Sequence, residues 1–378
     1  MNIIIYEDNN TDNLKPFSIN HASFEMQCGI MTNLERIIHH YSNYEGYNEI
    51  RFILLVRPEI EDMIRLKYPD LIVNPENIPK GKYMNGSFLH AGQLNLDDFP
   101  DMKTDNDLVH DFLFQFKNIW DPVFMFKEIF KIDFNSYGEY FPENIITDFN
   151  SPNNPNYNKD NNIMISETAN IKEGVILDTS NGPIIINKGV NVNVGSLLQG
   201  PLFIDKNSYI ALGAKIRPGT MIGQNCKVGG EVSNSIFYQN SNKVHDGFIG
   251  DSFIGEWVNI GAGTNNSNLK NNYSNIKFSF NGKDSIDTGC QFLGAMIGDY
   301  TRIGISSMLT AGSYIGLGSN IFGSGFQDKY IPSFTWGQDG MKTDFDKFVN
   351  TCKKMYFRRD EELSEIEIEF LRLLYNKG

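Results

Sequence analysis

The chain has 378 residues, 40% of them hydrophobic, which is enough to build more than one packed core at roughly 100–200 residues per domain. Its formal charge of -13 and lack of any dense Lys/Arg run exclude a nucleic-acid surface, because phosphate binding needs clustered cations. Cys28, Cys226, Cys290 and Cys352 are far apart with no C-x-x-C spacing, so neither a zinc site nor a disulfide framework is expected. Reduced thiols in the cytoplasm are the simplest reading.

The start, MNIIIYEDNN, carries an apolar run too short for a signal peptide or a membrane span, and no membrane partner is expected. Residues 1–150 then alternate strand and helix patterns. IIIYED reads as a strand, MTNLERIIHHYSN as a helix and RFILLV as a buried strand. PEIEDMIRLKYP opens with Pro at a helix start, and LIVNP and KYMNGSFLH read as further strands. This alternation predicts an α/β sheet domain. Asp8 ends the first strand, where open α/β sheets bind ligands. Residues 151–162, SPNNPNYNKDNN, read as a linker.

From Ile186 an apolar residue returns every sixth position: Ile186, Val192, Leu198, Ile204, Ile210, Ile216, Ile222 and Val228. The register reappears at Phe248, Ile254 and Ile260, and again from Ile297 to Ile321. A period of six fits neither a helix nor a simple alternating strand. It predicts a parallel β-helix over 163–337, with three flat faces and Gly or Asn at corners that need left-handed backbone. Coils stacked about 4.8 Å apart share backbone hydrogen bonds, and the expected hand is left. Two interruptions, 233–247 and 264–296, are expected to be loops, the second reaching toward a neighbouring subunit. Residues 338–378 read as a helical tail, with a capping pair Ser364/Glu367, that would cover the open end of the β-helix.

The segment NKVHDGFIGDSFIGEWVNIGAGTNNSNLKNNY resembles the acetyltransferase domain of the bifunctional N-acetylglucosamine-1-phosphate uridylyltransferase/glucosamine-1-phosphate N-acetyltransferases. His245, Ile249-Gly250-Asp251, Asn259-Ile260-Gly261-Ala262-Gly263-Thr264 and Asn268 keep that family's order. GPIIINKG, GGEVSNSIF, QFLGAMIGD and IPSFTWG are similar to a divergent, Bacteroidetes-type branch of it, so the resemblance covers nearly the whole chain.

The resemblance implies a left-handed β-helix acting as a homotrimer. It implies acetyl-CoA as cosubstrate and an amino-sugar phosphate, such as glucosamine 1-phosphate, as acceptor. His245 would be the general base, a role suited to an imidazole near neutral pH. Asn259 and Asn268 would bind sugar or acetyl-CoA, the Ala262 N–H would face the oxyanion, and Lys243 and Lys270 would supply positive charge. Of six histidines only His245 lies in the β-helix, which argues against a three-histidine zinc site. Phe248, Leu269 and Ser233 depart from the family's pattern at places where it carries tyrosines and a lysine.

The N-terminal domain would be nucleotidyltransferase-like, with Asp8 and Lys15 near a nucleotide. UTP and Mg²⁺ follow only if that domain is active. The loop after the first strand lacks G-x-G, which weakens a triphosphate site. Two alternatives remain: a sugar-1-phosphate nucleotidyltransferase whose β-helix only assembles trimers, and a non-catalytic hexapeptide scaffold.

Overall fold

The computed structural model describes residues 1–42, 50–90, 96–103, 113–140, 145–146 and 162–377. All of the expected linker except Asn162 lies outside them.

At the N-terminus, β1 (Asn2–Tyr6), α1 (Asn33–Ser42), β2 (Arg51–Leu55), α2 (Glu61–Lys67), β3 (Ile72–Val73) and β4 (Lys82–Asn85) form an α/β unit. Its sheet runs in the order β3-β2-β1-β4 and is parallel throughout. Parallel strands buried on both sides read as unbroken apolar runs, and Ile3, Ile4 and Ile5 are all fully buried. Beyond the sheet, α3 (Asp121–Tyr140) carries the chain to the repeat.

Strand Ile163–Ser166 opens a left-handed parallel β-helix. Two ten-stranded sheets and one five-stranded sheet make its three faces, the last extended by a separate strand pair. The inward column is apolar from coil to coil, as with Ile186, Val192, Leu198, Ile204, Ile210 and Ile216. Burying each such side chain contributes about 1.5–3 kcal/mol.

The stretch 233–247, expected as a loop, is a regular coil: Ile236–Phe237 and Asn242–Lys243 continue the first and second faces. It escaped notice because a lysine stands where the repeat demands an aliphatic residue. The register there is also one residue off expectation. Ile249 points inward and is fully buried, while Phe248 stays half-buried outside the core.

The first face is covered. Its outward residues Ile185, Phe203, Met221, Ile236, Phe253 and Met296 are buried against Leu14, Phe17 and the α3 residues Val123, Phe126 and Phe130. The insertion after the corner at Thr264 folds back onto this layer. Ile276, Phe278 and Leu293 are buried, with Phe278 5.2 Å from Trp120. That part of 264–296 therefore packs on its own chain instead of reaching outward.

The tail forms α4 (Phe345–Phe357) and α5 (Glu365–Lys377), with Ser364 and Glu367 capping α5 reciprocally. The helices pack against the β-helix. They run along the corner between the first and second faces, over Trp257, Tyr300, Leu317 and Phe334. At the second face's edge it is strand Met341–Lys342 that pairs, antiparallel, with Thr335–Trp336. Among the described residues no helix is long and apolar enough to cross a membrane, and the four cysteines are unpaired.

Candidate active site

His245 sits at the corner joining the second face to the third. On most coils this corner has four residues, as in 193–196, 211–214, 244–247, 261–264 and 304–307. On the coil just before His245 it has only Gly229 and Gly230. The corner tips Val194, Leu212 and Ile305 form an apolar ridge, 50%, 74% and 75% exposed. The shortened corner and the small Ala262 interrupt that ridge on either side of His245. Its imidazole is therefore exposed in a gap and makes no hydrogen bond or ion pair among the described residues.

Ala262 stands one rung beyond His245, as Asn259 does beyond Asn242. The Ala262 carbonyl accepts from the Ser306 N–H at 2.7 Å, while its own N–H has no partner among the described residues. Asn259 is exposed on the second face, between Asn242 and Arg302. A free imidazole, a free N–H one coil away and an exposed amide thus share one edge of the molecule.

Three expected site residues are engaged by the chain's own groups. Lys243 is 1% exposed and donates to the carbonyls of Gly229 (3.2 Å) and His245, so it offers no charge to a ligand. Burial lowers its pKa to about 8, against an opposing pull from Asp246. Asn268 lies at the far edge of the third face, where it and Asn234 donate to the two oxygens of Asp251 at 2.6 and 2.7 Å. Lys270 donates to the Asn275 carbonyl within the insertion.

Asp8 and Lys15 line a cavity of about 770 Å³ at the carboxyl ends of β1 and β2. Tyr314 and Tyr330 of the β-helix and Leu374 and Lys377 of α5 complete its lining. Asp8 caps the turn at Asn9–Leu14, accepting from the Asn10 N–H, and also accepts from Asn85 and Ser87 at 2.8 Å. Lys15 pairs with Asp12 at 2.7 Å and Arg57 with Glu7.

Between α2 and the β-helix lies a cluster that was not expected. His21 contacts Asp299 at 2.8 Å, and Glu25 contacts Lys67 and, at 3.8 Å, His21. Burial pulls the His21 pKa down, but Asp299 prevails and raises it to about 10. Burial likewise pushes Glu25 up, yet Lys67 and His21 hold it below the usual carboxylate range.

No protein-family model matches the chain. It is 33% identical over 165 residues to the bifunctional sugar-1-phosphate nucleotidylyltransferase/acetyltransferase of Sulfurisphaera tokodaii, covering 43% of this chain and 40% of that one. It is 30% identical over 182 residues to the bifunctional protein GlmU of Methanococcus vannielii, covering 47% and 43%. The chain is a divergent relative of these bifunctional transferases.

It spans about two fifths of the length of those two relatives. A shorter relative, the uncharacterized acetyltransferase YaiX of Escherichia coli O6:K15:H31, is 28% identical over 172 residues, with 74% of its length covered. Among solved structures, the UDP-N-acetylglucosamine acyltransferase of Francisella novicida aligns over 57% of this chain and 86% of its own, at 13% identity and a TM-score of 0.28.

The His21–Asp299 pair escaped sequence reading because its partners stand 278 positions apart. The gap at His245 did leave a signal. Consecutive inward residues Val228 and Val232 are four apart instead of six, which marks a corner two residues short.

Proposed function

We propose that this chain transfers the acetyl group of acetyl-CoA to the amine of an amino-sugar phosphate of the glucosamine 1-phosphate type, with His245 as general base. The observation that carries this reading is the exposed imidazole in the ridge gap, one rung from the unpartnered N–H of Ala262. The names of the related transferases supply the reaction class.

The chemistry follows from that arrangement. The acceptor amine attacks the thioester carbonyl as the His245 imidazole takes its proton. The carbonyl oxygen gains negative charge, which the Ala262 N–H stabilises. The tetrahedral adduct collapses by breaking the C–S bond, and CoA leaves as the thiol with the proton returned by His245. Asn259, exposed on the neighbouring strand, orients the sugar or the cosubstrate. The apolar ridge and the outward residues Leu197 and Met308 of the third face are exposed. They support a homotrimer in which a second copy completes the groove. The unpaired thiols fit a cytoplasmic setting.

The N-terminal cavity does not fit a triphosphate with Mg²⁺. The carboxylate of Asp8 is already engaged by three residues. Among the described residues, the lining acids Glu7, Asp8, Asp12 and Glu59 match the lining cations Lys15, Arg57, Lys103 and Lys377 in number, leaving no positive excess. Acetyl transfer is therefore the activity that the geometry carries, while the names of the related bifunctional proteins keep coupling to nucleotidyl transfer as the second reading.

Thiol release from acetyl-CoA should be assayed with a panel of amino-sugar phosphates, beside pyrophosphate release from UTP. Acceptor-dependent thiol release is the expected result. Pyrophosphate alone would transfer the activity to the N-terminal domain, and neither product would leave a scaffold.

A further inference from the structure

Lys243 breaks the rule of its column. The positions equivalent to it on the second face are Val192, Ile210, Val228, Ile260, Ile303 and Ile321, all buried in the β-helix core. An ammonium in that column carries a desolvation cost that an aliphatic residue would avoid. Its hydrogen bonds show what it holds: the carbonyl of Gly229 on the preceding coil and the carbonyl of His245 on its own.

The corner carrying His245 differs from its neighbours in the way those bonds require. At regular corners the carbonyl of the second residue accepts from the N–H of the third residue one coil on. Gly213 N–H to Val194 C=O (3.1 Å) and Ser306 N–H to Ala262 C=O (2.7 Å) are examples. The third residue is left-handed: Gly195, Gly213, Gly263 and Ser306 have φ of 75°, 68°, 72° and 57°. At the His245 corner the ladder slips by one residue. The Gly263 N–H goes to Asp246 C=O at 2.8 Å, while the His245 carbonyl turns to the Lys243 ammonium. The left-handed residue moves to the fourth position, Gly247, with φ 126°. Beneath this turn, a Cβ on Gly230 would come within 2.8 Å of the ammonium and 2.9 Å of the His245 carbonyl, so the shortened corner must be glycine there.

We infer that Lys243 is a positioning residue: its buried ammonium captures the His245 carbonyl, imposes the slipped turn, and so aims the imidazole into the ridge gap. This rests on the acetyl-transfer reading for its catalytic consequence but not for its geometry. An aliphatic residue at 243 restores the regular ladder, with Gly263 bonding to His245 and the imidazole displaced.

The test uses Lys243→Met, which keeps an unbranched side chain, and Lys243→Ile, which restores the repeat, in the full chain. Both are expected to keep wild-type circular dichroism. Their kcat for acetyl transfer falls about 10- to 100-fold, while KM for acetyl-CoA changes less than about threefold, the signature of a misplaced base and not of a lost binding group. Wild-type kcat in either folded variant overturns the proposal, as does a loss expressed only in KM. If the wild-type protein transfers no acetyl group, the function fails separately. A crystal structure of Lys243→Ile then decides: a Gly263 N–H to His245 C=O bond supports the positioning role, and an unchanged slipped turn refutes it. If neither variant folds, Lys243→Arg is the deciding case, since a cation that keeps the fold and part of kcat supports the role and one that folds without activity opposes it.

Discussion

The buried ammonium of Lys243 predicts a pH-dependent stability difference whose sign is fixed by linkage. Its folded pKa of about 8 lies below the ordinary 10.5, because burial disfavours the charged form. Between these values the unfolded chain binds a proton that the folded chain does not, so unfolding becomes less favourable as pH rises. Each unit is 1.36 kcal/mol, and the interval from pH 7 to pH 10 recovers about 2–3 kcal/mol. At 1% exposure little of this is screened by solvent. The variant Lys243→Met has no such group. Urea unfolding of both proteins at several pH values therefore has a defined outcome. The wild-type minus variant difference grows in favour of wild type by about 2–3 kcal/mol from pH 7 to pH 10, whatever its value at pH 7. Differencing removes the contribution of every other titrating group. A difference that stays flat within about 0.5 kcal/mol would show that the lysine is solvated or that its proton is not perturbed, and the argument for a captured carbonyl would fail with it.

Other perturbations follow from the same structure. His21, raised to about 10 by Asp299, contributes stability that is complete below its ordinary pKa of 6.5 and is lost as pH climbs toward 10. His21→Gln should therefore cost most below pH 6.5 and progressively less above it, the opposite slope to Lys243, as read by the same unfolding series. Asn268→Ala removes one of the two amides clamping Asp251 and should cost about 1–3 kcal/mol in urea unfolding. It should change kcat less than His245→Ala does, and the reverse order would return Asn268 to the site. Leu212→Glu, at a tip 74% exposed, should leave the fold intact but convert the proposed trimer to monomers in light scattering and lower acetyl transfer; a trimer of full activity would remove the ridge from the interface.

The β-helix was legible because its rule is local and repeated. An aliphatic residue every sixth position is a pattern that no helix or alternating strand produces. The rule also hid two features. Lys243 took an inward position, so a regular coil looked like a loop, and Phe248 mimicked the repeat one residue early while Ile249 filled the core. The covered first face carries a sign in the sequence. Its strands carry apolar doublets, Ile185-Ile186, Phe203-Ile204, Met221-Ile222 and Phe253-Ile254, where the second face mostly pairs a polar with an apolar residue, as in Asn191-Val192, Lys227-Val228, Asn259-Ile260 and Asn320-Ile321. A strand apolar on both sides favours burial on both sides, and on this face α3 and the 264–296 insertion supply the cover.

The site was half legible for a similar reason. His245 and Ala262 were named through the resemblance, and the coil between them, seventeen residues long as in the Asn242–Asn259 pair, places them on one edge. The ammonium of Lys243 and the amide of Asn268 are polar groups spent on the chain's own carbonyls and carboxylates. Sequence composition does not tell such internal partners from ligand-binding ones. Asp8 has the same ambiguity: a carboxylate at a strand end suits a ligand, but here it caps a turn and ties Asn85 and Ser87 to it.

The most direct measurement is the kcat of acetyl-CoA thiol release with glucosamine 1-phosphate for the wild-type chain and His245→Ala at pH 7.5. A general base predicts a fall of about 10²–10⁴-fold in kcat with KM for acetyl-CoA little changed. Equal rates in the two proteins, or no thiol release from a well-folded wild-type chain with any amino-sugar phosphate, would contradict His245 as the base of an acetyltransferase.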